Sequence, residues 1–341
     1  MEEIKFGIEQ ELIFKNDKNE ILDFSNSKYS QFEKIVDEFP FYEGDEEYFY
    51  LKSTETKPKR CYIEGFELHD EKGNVIETIP KGLEIRTTPH TNIQDLIKEL
   101  ENSFSLLKKL TEKENLYPIF ISYHPFKTKF NLPEKMLEHE KKFRTEKELK
   151  IAMESMFTFG MHVSVSNKNW NKNTLNKYVE KLNYYLPFII PFSFSSPFLK
   201  GREFEGYCYR NYVRANYVKL VEIRKKNNQF YIEFKAFDVV KDKELLKGLI
   251  YLIKGIIIDE TLKGRLKKQD VNLIKKSSLF GFENKFIKNE TYKIMKSISK
   301  KLENDHSYLN PLWEILETNK TYSYILKQKF RETKNIIETL S

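Results

Sequence analysis

Two glutamates two residues apart, Glu9 and Glu11, stand inside the otherwise apolar alternation Lys5-Phe6-Gly7-Ile8-Glu9-Gln10-Glu11-Leu12-Ile13-Phe14. Strand side chains alternate faces, so Phe6, Ile8, Leu12 and Phe14 share one face while Gly7, Glu9 and Glu11 share the other. Neighbouring carboxylates taken out of water need a cation or hydrogen-bond donors, and a hard divalent ion with oxygen ligands is the usual partner. A solvated outer sheet face, its acids touching only water, fits this one segment equally well.

Three later segments repeat the pattern and shift the balance toward a site. Lys81-Gly82-Leu83-Glu84-Ile85-Arg86-Thr87-Thr88-Pro89 sets Leu83 and Ile85 against Glu84, Arg86 and Thr88. In residues 157–166, Phe157, Phe159, Met161, Val163 and Val165 oppose Gly160, His162, Ser164 and Ser166. In residues 230–237, Phe230, Ile232, Phe234 and Ala236 point inward, leaving Tyr231, Glu233, Lys235 and Phe237 outward. If these strands share one antiparallel sheet backed by helices, its polar face is a floor of carboxylates, one imidazole and two cations. Such a floor suits divalent ions and a polyphosphate, because carboxylates hold Mg²⁺, the ion bridges phosphate oxygens and Arg or Lys neutralises the remaining charge. Each residue also has a plainer role open to it: His162 as a structural hydrogen-bonding group, Arg86 and Lys235 as salt-bridge partners of adjacent glutamates.

These segments carry a family resemblance. Gly7-Ile8-Glu9-Gln10-Glu11-Leu12 resembles the opening strand of carboxylate–amine ligases of the glutamate–cysteine ligase type. Glu84-Ile85-Arg86-Thr87-Thr88-Pro89, Ser122-Tyr123-His124-Pro125 and Gly160-Met161-His162-Val163 are similar to later segments of that family, in the same order. So are Phe192-Ser193-Phe194-Ser195-Ser196-Pro197-Phe198-Leu199-Lys200-Gly201, with Gly206-Tyr207-Cys208-Tyr209-Arg210 after it, and Ile232-Glu233-Phe234-Lys235-Ala236-Phe237-Asp238. The resemblance implies an α+β, glutamine-synthetase-like fold: a curved antiparallel sheet forming a funnel, with helices on its outer face. It implies ATP- and Mg²⁺-dependent amide formation through an acyl phosphate. It would make Glu9, Glu11, Glu84, His162 and Glu233 metal ligands, put Lys235 on ATP phosphates, and put Arg86 and Arg210 on phosphates or a substrate carboxylate. Ser164 stands where the family commonly has a second histidine, at a nucleotide or metal contact, and Lys235 stands where arginine is usual. After Gly201 the chain reads Arg202-Glu203-Phe204-Glu205 instead of the family's Asp-Thr, in a loop expected to contact substrate. A phosphagen-kinase-like transfer, and a nucleotide- or metal-binding regulatory module without turnover, remain alternatives that use the same floor.

Length and composition agree with a globular enzyme. The chain has 341 residues, 40% hydrophobic and 32% charged, enough to bury a sizeable core. The Met1-Glu2-Glu3 start lacks a basic and apolar leader, and the apolar run from Gly248 is broken at Lys254, so the expectation is a cytoplasmic protein without a membrane span. Its net charge of +7 is spread along helices without a nucleic-acid motif, so small-molecule substrates are expected rather than nucleic acid; a homo-oligomer stays open. Of two cysteines, Cys61 and Cys208, the second lies in the matched loop without a flanking histidine and reads as a small core filler.

Between these strands, Tyr62-Ile63-Glu64-Gly65-Phe66-Glu67-Leu68 reads as a further strand with Glu64 and Glu67 on opposite faces, so at most one reaches the floor, Glu67 before Glu64, and plain solvent exposure stays open for it. Helices are expected over 26–39, 91–115, 133–155 and 178–186, from a start within 238–243 to 258, and over 290–303 and 308–338. The organisation expected is a catalytic domain over residues 1–265 and a helical C-terminal extension over 266–341 packed on it.

Overall fold

Each alternation becomes a strand of one antiparallel sheet. In the computed structural model, which describes residues 3–49 and 58–340, the strands are β1 (Lys5–Asn16), β2 (Cys61–His69), β3 (Val75–Arg86), β4 (Leu116–Ile119), β5 (Gly160–Ser166), β6 (Phe198–Leu199), β7 (Arg202–Glu203), β8 (Val221–Lys226) and β9 (Gln229–Asp238). Their order is β2-β3-β1-β5-β9-β8, with β4 paired to the far half of β1 and β6-β7 forming a separate short pair. The sheet curls into a half-barrel. Asn227, in the β8–β9 turn at one edge, donates from Nδ2 to the carbonyl of Glu47, in the short helix Asp45–Tyr48, at 3.1 Å. That turn is tight because Asn227 and Asn228 both take left-handed φ, 45° and 61°, a geometry asparagine tolerates better than most residues.

The convex face is the core. Phe6, Ile8, Leu12 and Phe14 of β1 pack with Leu83, Ile85, Val163, Val165, Ile232 and Phe234 against the helices Ile93–Lys113, Lys172–Ile189 and Lys243–Ile258. Each such side chain contributes roughly 1.5–3 kcal/mol on burial. The same cluster continues through Ile294 and Ile298 of the helix Lys285–Leu302 and Leu312 of the helix Asn310–Thr318, so the C-terminal helices share one core with the sheet. Among the described residues no helix is long and apolar enough to cross a membrane.

Several boundaries differ from the sequence reading, each for a local reason. The single helix expected over 133–155 is two, Glu134–Glu140 and Glu146–Ser155, because Thr145 and Glu148 form a reciprocal capping box that starts a new helix. The stretch 308–338 breaks into Asn310–Thr318, Tyr322–Thr333 and Ile336–Thr339, with Asn319 and Lys334 in left-handed conformation at the breaks. Pro187 lies inside the last turn of its helix rather than after it, where fully buried Leu186 and Ile189 offset the lost hydrogen bond. In β9, residues Phe234 and Phe237 face Val163 and Met161, so two β9 residues oppose His162. This bulge turns Phe237, expected on the polar face, into the core and carries Asp238 onto the floor opposite Gly160.

Candidate active site

Strand register assembles the floor. Glu9 lies opposite Arg86 on one side and His162 on the other, Glu11 opposite Glu84, and Ser164 opposite both Gly7 and Glu233. Directly opposed residues of an antiparallel pair share a face, so Glu9, Glu11, Glu84, Arg86, His162, Ser164 and Glu233 come onto one face. Above them opens a cavity of about 760 Å³ that Glu9, Glu84, Arg86, His162 and Glu233 line together with Tyr62 and Glu64.

Two carboxylate clusters occupy the inner end of this floor. Glu9, Glu84 and His162 bring ligand atoms within 4.8 Å of one another, and so do Glu11, Glu64 and Glu84, which makes Glu84 common to both. Glu84 Oε1 and His162 Nε2 are buried without a hydrogen-bond partner, while His162 Nδ1 lies 3.5 Å from Glu9 Oε2. Burial, then the charges of Glu9, Glu64 and Glu11, push Glu84 well above the ordinary carboxylate range. Burial likewise raises Glu64 against the pull of Lys81. For Glu9 burial also opposes ionisation, but the hydrogen bond and charge of His162, with Arg86, outweigh it and hold the carboxyl below its usual value. For Glu11 the burial cost is overcome by Lys81, then by His162, Arg210 and Arg214. Buried acids held this close, with an orphaned carboxylate oxygen and an orphaned imidazole nitrogen, fit divalent cations, which take oxygen and imidazole ligands and relieve the like-charge repulsion.

The cations are distributed unevenly. Lys81 is the extra residue of a bulge where Glu64 faces Gly82 and Gly65 faces Pro80; it reaches Glu11 at 3.3 Å and donates to the Thr158 carbonyl at 2.8 Å. The Arg86 guanidinium lies between the rings of Tyr62 and Phe49, at 4.1 and 4.8 Å, and donates to the Lys59 carbonyl, while its buried Nε has no partner. Lys226, at the end of β8, lines the same cavity, and burial followed by the Arg86 charge lowers its pKa to about 8.

The remaining predicted residues are placed differently. Glu233 falls outside both clusters; its carboxylate pairs with Arg224 at 2.9 Å and Lys235 at 3.5 Å. Lys235, expected on phosphates, is held between Glu222 and Glu233, the salt-bridge role its sequence position also allowed. Arg210, expected to touch phosphate or a substrate carboxylate, is wholly buried. It donates to the carbonyls of Phe237 at 3.0 Å and Lys235 at 3.1 Å and faces Asp238 at 3.4 Å, so it braces β9 instead. Gly160 makes room for it, since a Cβ there would come within 1.9 Å of an Arg210 terminal nitrogen. Ser164 stacks its hydroxyl over Gly7. The loop after Gly201 turns to the helix Tyr322–Thr333, where Arg331 grips Glu203 at 3.1 and 3.3 Å and Lys327 donates to the Phe204 carbonyl at 2.9 Å. Cys208 is buried and accepts from the Asn211 amide at its helix start, with burial raising its thiol.

Sequence reasoning missed Glu64, Lys81 and the whole of β8 with Glu222, Arg224 and Lys226. Glu64 reaches the carboxylates because it faces Gly82 beside the bulge, whereas Glu67 lines only the cavity's outer part. The Asn227-Asn228 pair between two alternating stretches was the available signal for β8.

Comparison with known proteins places this geometry. Two curated proteins named "Putative glutamate--cysteine ligase 2" match: one from Herpetosiphon aurantiacus is 24% identical over 185 residues, 52% of this chain and 46% of that protein. The other, from Roseiflexus sp., is 26% identical over 187 residues, 53% of this chain and 48% of that protein. The chain is their distant homologue. It spans about half the length of these curated relatives. No protein-family model matches. Among solved structures, the glutamate–cysteine ligase of Francisella tularensis in complex with AMP superposes with a TM-score of 0.58 at 12% identity, covering 100% of this chain and 88% of that one. A bifunctional glutathione synthetase from Pasteurella multocida gives 0.60 at 13%, covering 99% and 50%. The prokaryotic ubiquitin-like protein ligase PafA, in its complex with Pup, gives 0.56 at 10%, covering 97% and 68%. The chain thus shares the α+β fold of these three solved structures.

Proposed function

We propose that this chain is an ATP- and Mg²⁺-dependent carboxylate–amine ligase that forms an amide, a γ-glutamyl one, through an acyl phosphate. The observation that carries this reading is the pair of clusters joined at Glu84, with the unpartnered Glu84 Oε1 and His162 Nε2, on the floor of a half-barrel shared with carboxylate–amine ligases. Glu9, Glu84 and His162 would hold one divalent ion and Glu11, Glu64 and Glu84 a second. Bound there, such ions disperse the negative charge of the triphosphate during transfer.

The side chains supply position and charge. Arg86, fixed between Phe49 and Tyr62, and Lys226 above Glu9 would hold phosphate or the acyl substrate's carboxylate at the mouth. A substrate carboxylate oxygen attacks the γ-phosphorus and ADP leaves; the amine nitrogen then attacks the acyl carbon, phosphate departs and the amine gives up a proton. Lys235 and Arg210 act by holding β8 and β9 in place. The substrates would be small molecules and the setting cytoplasmic, where ATP is available.

Phosphate release from MgATP by the purified chain, with glutamate and a panel of amines, tests the reading. Amine-dependent phosphate release with a matching amide product supports it. ADP without free phosphate would indicate a kinase, and ATP binding without turnover on any pair would indicate a regulatory module.

A further inference from the structure

Behind the floor, on the opposite face of β1, the helices border a second cavity of about 780 Å³, open to solvent on one side and as large as the one above the carboxylates. Clefts of about 300–1,000 Å³ are the size of small-molecule sites. Its walls are chiefly apolar: Leu100, Phe104 and Phe120, with Val240, Ile315 and Tyr322 across from them. The rim carries three lysines and four acids, several of them already engaged: Lys243 pairs with Glu101 at 3.3 Å, Glu244 with Lys247 at 3.0 Å, and Asp242 caps the helix by accepting from the Leu245 amide. The lining therefore favours an uncharged occupant.

One polar group reaches this cavity from the sheet. Gln10, only 3% exposed, lies on β1 between Glu9 and Glu11 but on the opposite face. Its Oε1 accepts from the Val240 amide at 3.2 Å, which fixes the orientation of the carboxamide, and its Nε2 has no partner among the described residues. The Gln10 carboxamide thus presents an N–H donor that an occupant of the cavity could engage.

We propose that this cavity is a second binding site for a small, uncharged aromatic molecule bearing a carbonyl, which accepts from Gln10 Nε2 while its ring system fills the apolar walls. Gln10 ties β1 to the segment that follows Asp238. The proposal stands whether or not the chain is a ligase.

The test uses the environment-sensitive naphthalene ketone 6-propionyl-2-dimethylaminonaphthalene as probe, titrated by fluorescence into the full chain. Saturable binding of one probe per chain is expected. Ile325→Trp, at a half-exposed position on the cavity's edge, and Leu100→Trp within it should each weaken binding by about tenfold or more. Gln10→Met should shift the bound probe's emission to the blue by removing the hydrogen bond to its ketone. Glu84→Gln, on the other face, should leave binding unchanged, and circular dichroism checks that each variant is folded. The proposal is overturned by the absence of saturable binding, by binding that survives both tryptophan variants, by emission indifferent to Gln10→Met, or by loss of binding in Glu84→Gln.

Discussion

The two ends of the floor use the same residue types to opposite effect. At the outer end, Glu222 and Glu233 meet Arg224 and Lys235, and each of these four charges has a partner of the other sign. At the inner end, Glu9, Glu11, Glu64 and Glu84 crowd around Lys81 and His162, and a carboxylate oxygen and an imidazole nitrogen remain unpaired. A balanced cluster is a finished structural element. An unbalanced buried one stays costly until a cation joins it, and that difference separates a brace from a site.

The strongest way to break this contrast is to remove the residue both clusters share. Glu84→Gln should lower MgATP-dependent turnover about a thousandfold, several kcal/mol of lost charge stabilisation, with the fold retained by circular dichroism. A comparable cost, but in stability, is expected where a charge is buried and paired: Asp238→Ala leaves Arg210 uncompensated and should cost about 3–5 kcal/mol in urea unfolding. His162→Ala should weaken divalent-ion affinity by about 10–100-fold in calorimetric titration, because it removes one nitrogen ligand and the group that orients Glu9.

Acidity should also distinguish the two ends. Folded-state pKa values of Glu84 and Glu64 are raised, burial being the first cause, so their contribution to stability is present at low pH and lost as pH rises through those values. Glu9 and Glu11 are lowered, and their contribution is lost only as pH falls below the usual carboxylate range. Ion-free protein should therefore melt at progressively lower temperature as pH rises from about 5 through the raised values, a slope that Glu84→Gln flattens. At the outer end the expected effect is smallest: Arg224, half-exposed, should cost under about 1 kcal/mol when changed to alanine, with little pH dependence.

What the sequence revealed follows the same division. Regular alternation showed the strands carrying Glu9, Glu11, Glu84 and His162, because period-two patterning is a direct consequence of the pleat. The bulges hid the rest. One extra residue at Lys81 and one between Phe234 and Phe237 reverse the faces beyond them, which is why Glu64 rather than Glu67 joins the carboxylates and why Asp238 faces Arg210. Strand β8 escaped notice because Val-Glu-Ile-Arg-Lys-Lys offers only two apolar residues, and its pairing is decided by the partner strand β9. Arg210 was read as a ligand contact because its burial depends on Gly160, 50 residues earlier in the chain and invisible to any local pattern.

Titration of Mn²⁺ into the metal-free chain, followed by electron paramagnetic resonance in wild type and Glu84→Gln, tests the central claim most directly. The unbalanced floor predicts two bound ions in wild type, one for each cluster, and loss of tight binding at both when Glu84 is neutralised. Mn²⁺ binding that is absent from wild type, or that persists undiminished in Glu84→Gln, would contradict it.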